Sequence, residues 1–223
     1  MGAPHGIEEN CLDRGHLNQQ SNTNNIMKKL KITSLLAIAS LAITASASAD
    51  SGFQAKPFTY DPDKTGEITA AWIAGIGLPD AGNSNHGLLL QKNGLTADNA
   101  AGGASITGVK GIVLTELGFD YKNGGHCGAG APRFNVQATD GFHFMGGCSN
   151  ATPGPVAPGW TRVRIDPNNP AQAFPVMTPG ATIISIALIF DEGTDTGPDF
   201  TGSVITDNID VNGTLIGKPG SAK

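Results

Sequence analysis

The sequence contains little charge and few aromatic residues. Of its 223 residues, 15% are charged and 6% are aromatic, and acidic residues outnumber basic ones by 19 to 14. A net charge of −5 argues against a nucleic-acid-binding protein, which typically carries a basic patch. Because 39% of the residues are hydrophobic, the low charge does not indicate a disordered acidic chain. The length fits one globular domain with a substantial core.

Familiar catalytic and cofactor-binding motifs are also missing. The sequence contains no G-x-S-x-G elbow, no H-E-x-x-H pair, no P-loop and no dinucleotide-binding fingerprint. Glu116 and Asp120 form a carboxylate pair of the type that glycoside hydrolysis uses, but both belong to one strand-like segment. The motifs therefore favour a non-catalytic protein, with a glycan-active enzyme as an alternative.

The longest run of apolar residues lies near the N terminus. From Met27 the chain has a basic start, an apolar run over residues 32–43 and the small residues Ala47-Ser48-Ala49. This order is typical of a secretory signal peptide that is cleaved near Ala49. The run is too short to span a bilayer and no charged stop follows it. We therefore expect a secreted protein, extracellular or periplasmic, with no membrane span in the mature form.

The signal peptide divides the chain into three parts. Residues 1–26 are polar, rich in Asn and Gln, and precede the signal; we interpret them as a disordered stretch upstream of the true start at Met27. A genuine cytoplasmic extension is the alternative. Residues 27–49 form the signal peptide, and residues 50–223 are predicted to form a single domain.

Cysteine is rare, and its positions fit export. The sequence has three Cys, of which Cys127 and Cys148 lie in the predicted domain and form an even pair for an oxidising compartment. They flank two alternating segments that meet at Asp140-Gly141, a hairpin signal. A disulfide at the open end of this hairpin is predicted. A zinc site with His126 and His143 is the alternative, although the spacing of the four residues is poor for zinc.

Glycine and proline are plentiful, with 31 Gly and 14 Pro. Together with Asn and Asp they separate many short segments that are rich in β-branched and aromatic residues. Such spacing predicts an all-β sandwich or barrel. The nearly unbroken apolar run ATIISIALIF, residues 181–190, predicts a central strand that is covered on both sides.

Several of the predicted strands have one polar and one apolar face. In FHFMG, for example, Phe142 and Phe144 would form the apolar face and His143 the polar one. If the strands share a sheet, the polar faces form one ligand-binding surface on which Trp160 stacks against a ligand and the other groups bind hydroxyls. A solvated outer face, or a Trp160 that merely anchors a strand end, are the alternatives. The candidate residues are Glu116, Asp120, Arg133, Asn135, Gln137, His143, Trp160, Arg162 and Arg164.

The order of the segments resembles that of a known group of domains. The segments are NSNHGLLLQKNG, ITGVKGIVLTELGFDYKNG, GWTRVRIDP, and PGATIISIALIFDEG followed by SVITDNIDVNG. The chain from residue 50 onward resembles the jelly-roll β-sandwiches of carbohydrate-binding modules and galactose-binding-like domains. GFDYKNGGHCGAG and FDEGTDTGPDF together also resemble uncharacterised secreted bacterial proteins. The resemblance implies a jelly roll of two antiparallel sheets that binds carbohydrate.

The resemblance also implies a structural calcium ion. In these domains an Asp of the final strand binds calcium together with oxygens near the start of the domain, and the matching residue here is Asp207. Its partner would be Asp61, Asp63 or Glu67. A second candidate is the loop that contains Asp191, Glu192, Asp195 and Asp199, since Ca²⁺ takes six to eight oxygen ligands. For this loop, a merely solvated acidic turn is the alternative.

We therefore expect a secreted, non-catalytic β-sandwich that binds a polysaccharide or cell-surface glycan weakly. A single exposed Trp supports only weak binding, and fold resemblance by itself does not confer function. A structural or surface-associated assembly protein without a small ligand is the main alternative, and a glycan-active enzyme is the second.

Overall fold

A computed structural model describes residues 52–82, 84–97, 99–191, 201–219 and 221–222. The chain divides into the units Met1–Ala45 and Ser46–Lys223, and the described residues all belong to the second unit. The predicted N-terminal extension and signal peptide, residues 1–49, lie outside the described residues.

Within the described residues the protein consists of strands and turns and contains no helix. It follows that no described helix has the length and apolarity needed to cross a membrane. The strands are β1 (Gln54–Tyr60), β2 (Ile68–Ala74), β3 (His86–Lys92), β4 (Ala101–Thr107), β5 (Leu117–Lys122), β6 (Arg133–Ala138), β7 (Gly141–Gly146), β8 (Thr152–Ala157), β9 (Trp160–Ile165), β10 (Ala173–Phe174), β11 (Ile183–Phe190), β12 (Gly202–Val211), β13 (Thr214–Lys218) and β14 (Ser221–Ala222).

The strands form two antiparallel sheets. Sheet A has the order β1-β4-β11-β6-β7-β10. Sheet B has the order β14-β13-β12-β5-β9-β8, with β3 paired to β12 and β2 paired to β3. The predicted fold class, an all-β sandwich of two antiparallel sheets, is confirmed, and the arrangement is compatible with a jelly roll.

The core lies between the two sheets. It consists of the side chains that point inward at alternate positions along the strands. Phe119 of β5 and Phe134 of β6 are fully buried, and their ring centroids are 5.9 Å apart across the sandwich. Such aromatic contacts join the sheets through apolar burial and favourable ring geometry. The core therefore fixes which face of each strand points outward.

The central strand β11 corrects one prediction. It lies between β4 and β6, as a central strand should, and Ile186 and Leu188 are buried. Its other face is not covered by a second layer, because a two-layer sandwich buries only one face of each sheet. Ile184 is accordingly 47% exposed, and Ile189 is only partly buried. The apolar run thus gives the outer face of sheet A an apolar character.

The predicted disulfide is confirmed. Cys127 and Cys148 are bridged, with their Cα atoms 5.3 Å apart. Cys127 precedes β6 and Cys148 follows β7. The two strands form a hairpin with Ala138 opposite Gly141. The bridge therefore closes the open end of this hairpin, and neither sulfur is left as a thiolate for the alternative zinc site.

Candidate functional site

The polar surface predicted from strand alternation is divided between the two sheets. The residues that fall in or beside sheet B are Glu116, Asp120, Trp160, Arg162 and Arg164, and those that fall in sheet A are Arg133, Asn135, Gln137 and His143. The condition for one shared surface, that the strands belong to one sheet, is therefore not met. Alternation determines the face of a strand, whereas long-range pairing determines its sheet, and a single sequence does not reveal that pairing.

The sheet B residues are bound to one another. Asp120 is fully buried and accepts hydrogen bonds from Arg162 Nε at 2.8 Å and Arg162 Nη2 at 3.0 Å. Asn208 Nδ2 donates a third bond to the same carboxylate at 2.6 Å. The bonds to Asp120 raise the pKa of Arg162 and keep it charged. Asp120 is therefore enclosed by Arg162 and Asn208.

A second ion pair crosses sheet B beside the first. Arg164 Nε lies 2.9 Å from Asp210 Oδ2 and 3.5 Å from Glu116 Oε1. Arg164 of β9 and Asp210 of β12 both pair with Gly118 on the intervening strand β5. A Cβ atom at Gly118 would lie 2.6 Å from Arg164 Nη1. The missing side chain therefore lets the guanidinium lie across β5.

These pairs form a charge network rather than an open binding surface. A cleft of about 370 Å³ lies beside Glu116 and Arg164, but Arg164 is already bound to Asp210. Burial raises the pKa of Asp210 to about 6, and Arg164 opposes that shift. Trp160 is only partly exposed at the start of β9. The network joins β5, β9 and β12, and of the residues predicted to bind a ligand it includes Glu116, Asp120, Arg162 and Arg164.

Asp207, the predicted calcium ligand of the final long strand, is bonded to backbone groups. Asp207 is fully buried in a bulge of β12, and its oxygens accept bonds from the backbone N–H groups of Leu78 and Asn208, each at 2.6 Å. Among the described residues no group of three or more His, Cys, Asp or Glu side chains is arranged to hold a metal ion. Calcium binding at Asp207 stays a prediction.

The proposed N-terminal partners of Asp207 lie in and beside an exposed turn. Asp61 accepts bonds from Gly66 N at 2.8 Å and from the Thr65 hydroxyl at 3.1 Å, and the backbone bond from Gly66 lowers the pKa of Asp61. Asp63 is exposed in the same turn, and Glu67 lies against Gly94. The Asp61 side chain thus stabilises the local geometry of this turn.

Only the first residue of the second predicted calcium loop is described. Asp191 binds Arg133 through two bonds of 2.7 Å, one to each carboxylate oxygen. Asp195 and Asp199 lie outside the described residues, as does Glu192. The prediction of calcium binding by this loop stays a prediction.

The outer face of sheet A carries Phe142 and Phe144, which alternation had assigned to the apolar face of their strand. Phe142 and Phe144 are 42% and 45% exposed, whereas His143 is 1% exposed and faces inward. The predicted orientation of β7 is therefore reversed. In the β6–β7 pairing, His143 lies opposite the buried Val136. The buried imidazole is tolerated because both ring nitrogens have hydrogen-bonding partners.

The exposed rings form one continuous surface with polar neighbours. Phe144 lies opposite Asn135 on one side and opposite Phe174, which is 48% exposed, on the other. Phe142 and Phe144 meet edge to face with centroids 4.9 Å apart, and Gln137 lies opposite Phe142. We call Asn135, Gln137, Phe142, Phe144 and Phe174 the aromatic face.

Two further observations describe the chemistry of the aromatic face. The Arg133 guanidinium lies 5.3 Å from the centroid of the Phe144 ring, a cation–π distance, while Asp191 neutralises its charge. The Asn135 Oδ1 atom is buried and has no hydrogen-bond partner within the described structure. The face thus combines apolar rings, amide groups and little net charge.

Asn135, Gln137 and Arg133 were predicted as ligand-binding residues, but the three Phe residues were missed. Hydrophobicity alone assigns a Phe to the core, and only one weak local signal points the other way. A weak signal exists at His143, which lies three residues after Asp140 of the turn and is bonded to it. Successive side chains of a strand point to opposite faces, so Phe142 and Phe144 must face outward if His143 between them faces inward.

Comparison with known proteins adds no relative. No protein-family model matches the chain, and no curated protein or solved structure matches it. The resemblance to carbohydrate-binding modules is therefore supported only at the level of the all-β sandwich.

Proposed function

We propose that this protein is a secreted, non-catalytic β-sandwich that binds carbohydrate weakly through the aromatic face of sheet A. The observation that carries the proposal is the set of three exposed Phe rings beside the amide groups of Asn135 and Gln137. The signal peptide predicted from the sequence supports secretion, and the disulfide is compatible with an oxidising compartment.

The chemistry of the face fits a sugar better than a charged ligand. Sugar rings present apolar C–H groups to aromatic rings and hydroxyls to amides, and ligand sites commonly combine apolar surface with a few polar groups. Because Asp191 neutralises Arg133, the face lacks an unpaired positive charge among its described residues. We therefore expect a preference for neutral over acidic polysaccharides.

The test is a pull-down on insoluble neutral polysaccharides, with a glycan array alongside. Phe144→Ala removes the central ring and is expected to weaken binding about tenfold, since aromatic contacts in a binding site contribute about 1–3 kcal/mol. Trp160→Ala is the matched control because it truncates an aromatic residue on the other sheet. Binding that survives Phe144→Ala and is lost in Trp160→Ala would overturn the assignment of the site to sheet A.

Assembly is the second candidate function, and one observation favours it. Ile184 of β11 is 47% exposed and extends the apolar character of the outer face of sheet A, and Val176, two residues after β10, is 39% exposed. Exposed apolar patches commonly mark protein–protein contacts. Sedimentation of the wild type and of Phe144→Ala over a range of concentrations separates the two functions. Self-association that Phe144→Ala abolishes, with no binding to any glycan, would establish assembly in place of carbohydrate binding.

A further inference from the structure

An ion pair with two parallel hydrogen bonds lies at one end of the aromatic face. Arg133 Nη1 donates to Asp191 Oδ1 and Arg133 Nη2 donates to Asp191 Oδ2, each at 2.7 Å. Arg133 shares the outer side of β6 with Asn135 and Gln137, because side chains two residues apart point to the same side of a strand. Asp191 directly follows β11, the strand that pairs with β6. Both charges are thus fixed beside the amide groups of the face.

Arg133 is also held by groups other than Asp191. Its Nη1 atom donates a second hydrogen bond to the backbone oxygen of Gly130 at 2.7 Å. Its guanidinium lies 5.3 Å from the centroid of the Phe144 ring, and the side chain is only 19% exposed. A guanidinium can rest on an aromatic ring through a cation–π contact. We therefore expect the guanidinium to stay beside Phe144 when Asp191 loses its charge.

The two N–H groups that bind Asp191 are the groups that would bind a carboxylate of a ligand. A planar guanidinium matches a carboxylate with two parallel bonds, and such charge-assisted pairs are specific in geometry. The carboxylate of a uronic acid sugar is chemically equivalent to that of Asp191. To bind Arg133 it must displace Asp191, and the two negative charges would then lie close together. Such a repulsive element is a common way to reject the wrong ligand.

We propose that Asp191 determines the specificity of the aromatic face by occupying the carboxylate-binding groups of Arg133, and that it thereby excludes polysaccharides that contain uronic acids. Asp191→Asn keeps the shape of the side chain and removes its charge, so Arg133 becomes a site for an external carboxylate. The selection among polysaccharides rests on the proposed function of the face. The occupation of Arg133 by Asp191, and its release in the variant, do not depend on that function.

The first test compares two forms of one polysaccharide in the pull-down. One is a neutral polysaccharide that the wild type retains, and the other is the same material after oxidation of its primary hydroxyls to carboxylates. Asp191→Asn should bind the oxidised form about tenfold more tightly than the wild type does, as for one gained charge-assisted hydrogen bond. Binding of the neutral form should not change. Added salt should reduce the gain, because charges near the surface are screened.

Two variants separate the role of Arg133 from an effect of net charge. Asp63→Asn is the matched control, since it removes the same charge from an exposed turn. It should bind the oxidised polysaccharide as the wild type does. Arg133→Gln, added to Asp191→Asn, should abolish the gain. Absence of a gain in Asp191→Asn, an equal gain in Asp63→Asn, or a gain that persists without Arg133 would overturn the proposal.

A titration with sodium glucuronate decides the state of Arg133 without any polysaccharide. Nitrogen-15 spectra of the arginine side chains are recorded during the titration, and Arg133→Gln identifies the Arg133 signals. These signals should shift in Asp191→Asn and stay constant in the wild type. Shifts in both proteins, or in neither, contradict the occupation of Arg133 by Asp191. Asp191→Ser also lacks the charge and takes the place of Asp191→Asn if that variant does not fold.

The two tests also keep the two proposals apart. If the wild type retains no neutral polysaccharide, the proposed function is refuted, and the glucuronate titration alone decides whether Asp191 occupies Arg133. If the wild type retains a neutral polysaccharide but Asp191→Asn gains no affinity for the oxidised form, the proposed function stands and the role of Asp191 is refuted.

Discussion

At the scale of single residues, the sheet B network shows how burial changes the chemistry of a carboxylate. Asp210 has a side chain that is 3% exposed, and it depends on Arg164 for its charge. Three carboxylates, those of Glu116, Asp120 and Asp210, lie close to the guanidinium groups of Arg162 and Arg164. Removal from water favours the neutral form of a carboxyl group. The pKa of Asp210 therefore rises from 3.8 to about 6.

This pKa shift predicts a pH dependence of stability. The folded protein holds the Asp210 proton more tightly than the unfolded chain does, so this group makes folding less favourable as the pH rises from about 4 to about 6. One proton contributes a slope of at most about 1.4 kcal/mol per pH unit. Asp210→Asn removes the titration, so the variant should lack this decrease. Urea unfolding at successive pH values measures it.

Asp63→Asn is the control for this prediction, because it removes a carboxylate from an exposed turn. Its stability should follow the same pH profile as the wild type between about pH 4 and 6, since exposed charges interact weakly. Equal slopes in the wild type and in Asp210→Asn would contradict the assignment of the proton to Asp210.

At the scale of elements, the ion pair between Arg164 of β9 and Asp210 of β12 crosses β5 at a residue without a side chain. Gly118 lies between Arg164 and Asp210 in the register of the three strands. In the same region β12 contains a bulge, with Asn208 in the left-handed region at φ 46° and its amide bonded to Asp120. A bulge redirects the side chains of its strand, and Asn adopts the left-handed backbone conformation more readily than most residues. The missing side chain at Gly118 lets Arg164 reach Asp210, and the bulge lets the Asn208 amide reach Asp120.

Gly118→Ala should weaken the Arg164–Asp210 ion pair and lower the stability of the protein. The added Cβ would contact the backbone oxygen of Val163 and lie 2.6 Å from Arg164 Nη1, so the guanidinium must move away from Asp210. We expect a loss of about 1–3 kcal/mol in the free energy of unfolding. Gly154→Ala in the neighbouring strand β8 is the matched control, because a Cβ there meets no atom within 4 Å. Equal urea midpoints for the two variants would refute the argument.

At the scale of the whole molecule, the calcium prediction rests on the acidic loop that begins at Asp191. Ligands that bind only the folded protein raise its melting temperature. If the loop holds calcium, excess Ca²⁺ should raise the melting midpoint by about 2–8 °C over the chelated protein, corresponding to about 1–2 kcal/mol. Asp195→Asn combined with Asp199→Asn should abolish the increase. An unchanged melting midpoint in the wild type would refute the prediction that this protein binds calcium.

The sequence predicted local features well where local chemistry decides them. The hairpin around Asp140-Gly141 and the Cys127–Cys148 bridge follow from turn residues and from cysteine placement, and both are present. Short alternating strands separated by Gly and Pro indicated an all-β sandwich, which the two sheets confirm. These predictions need only neighbours along the chain.

The predicted site depended on distant neighbours, and there the sequence failed. Arg162 and Asn135 were assigned to one surface because each lies on the polar face of its strand, but the strands belong to different sheets. Phe144 was assigned to the core because of its hydrophobicity. It faces outward because β7 buries His143, whose contacts to Pro175 and Asp140 lie 32 and 3 residues away.

The sequence by itself determined the fold class, the turns and the disulfide of this protein, since backbone preferences and side-chain periodicity act over a few residues. Only the tertiary structure decided which strands share a sheet, and therefore which side chains meet. It paired the polar residues of sheet B with one another and left three Phe rings exposed on sheet A. Pairing between distant strands follows from the packing of the whole core, and this is the reason that the candidate site emerges only in the folded molecule.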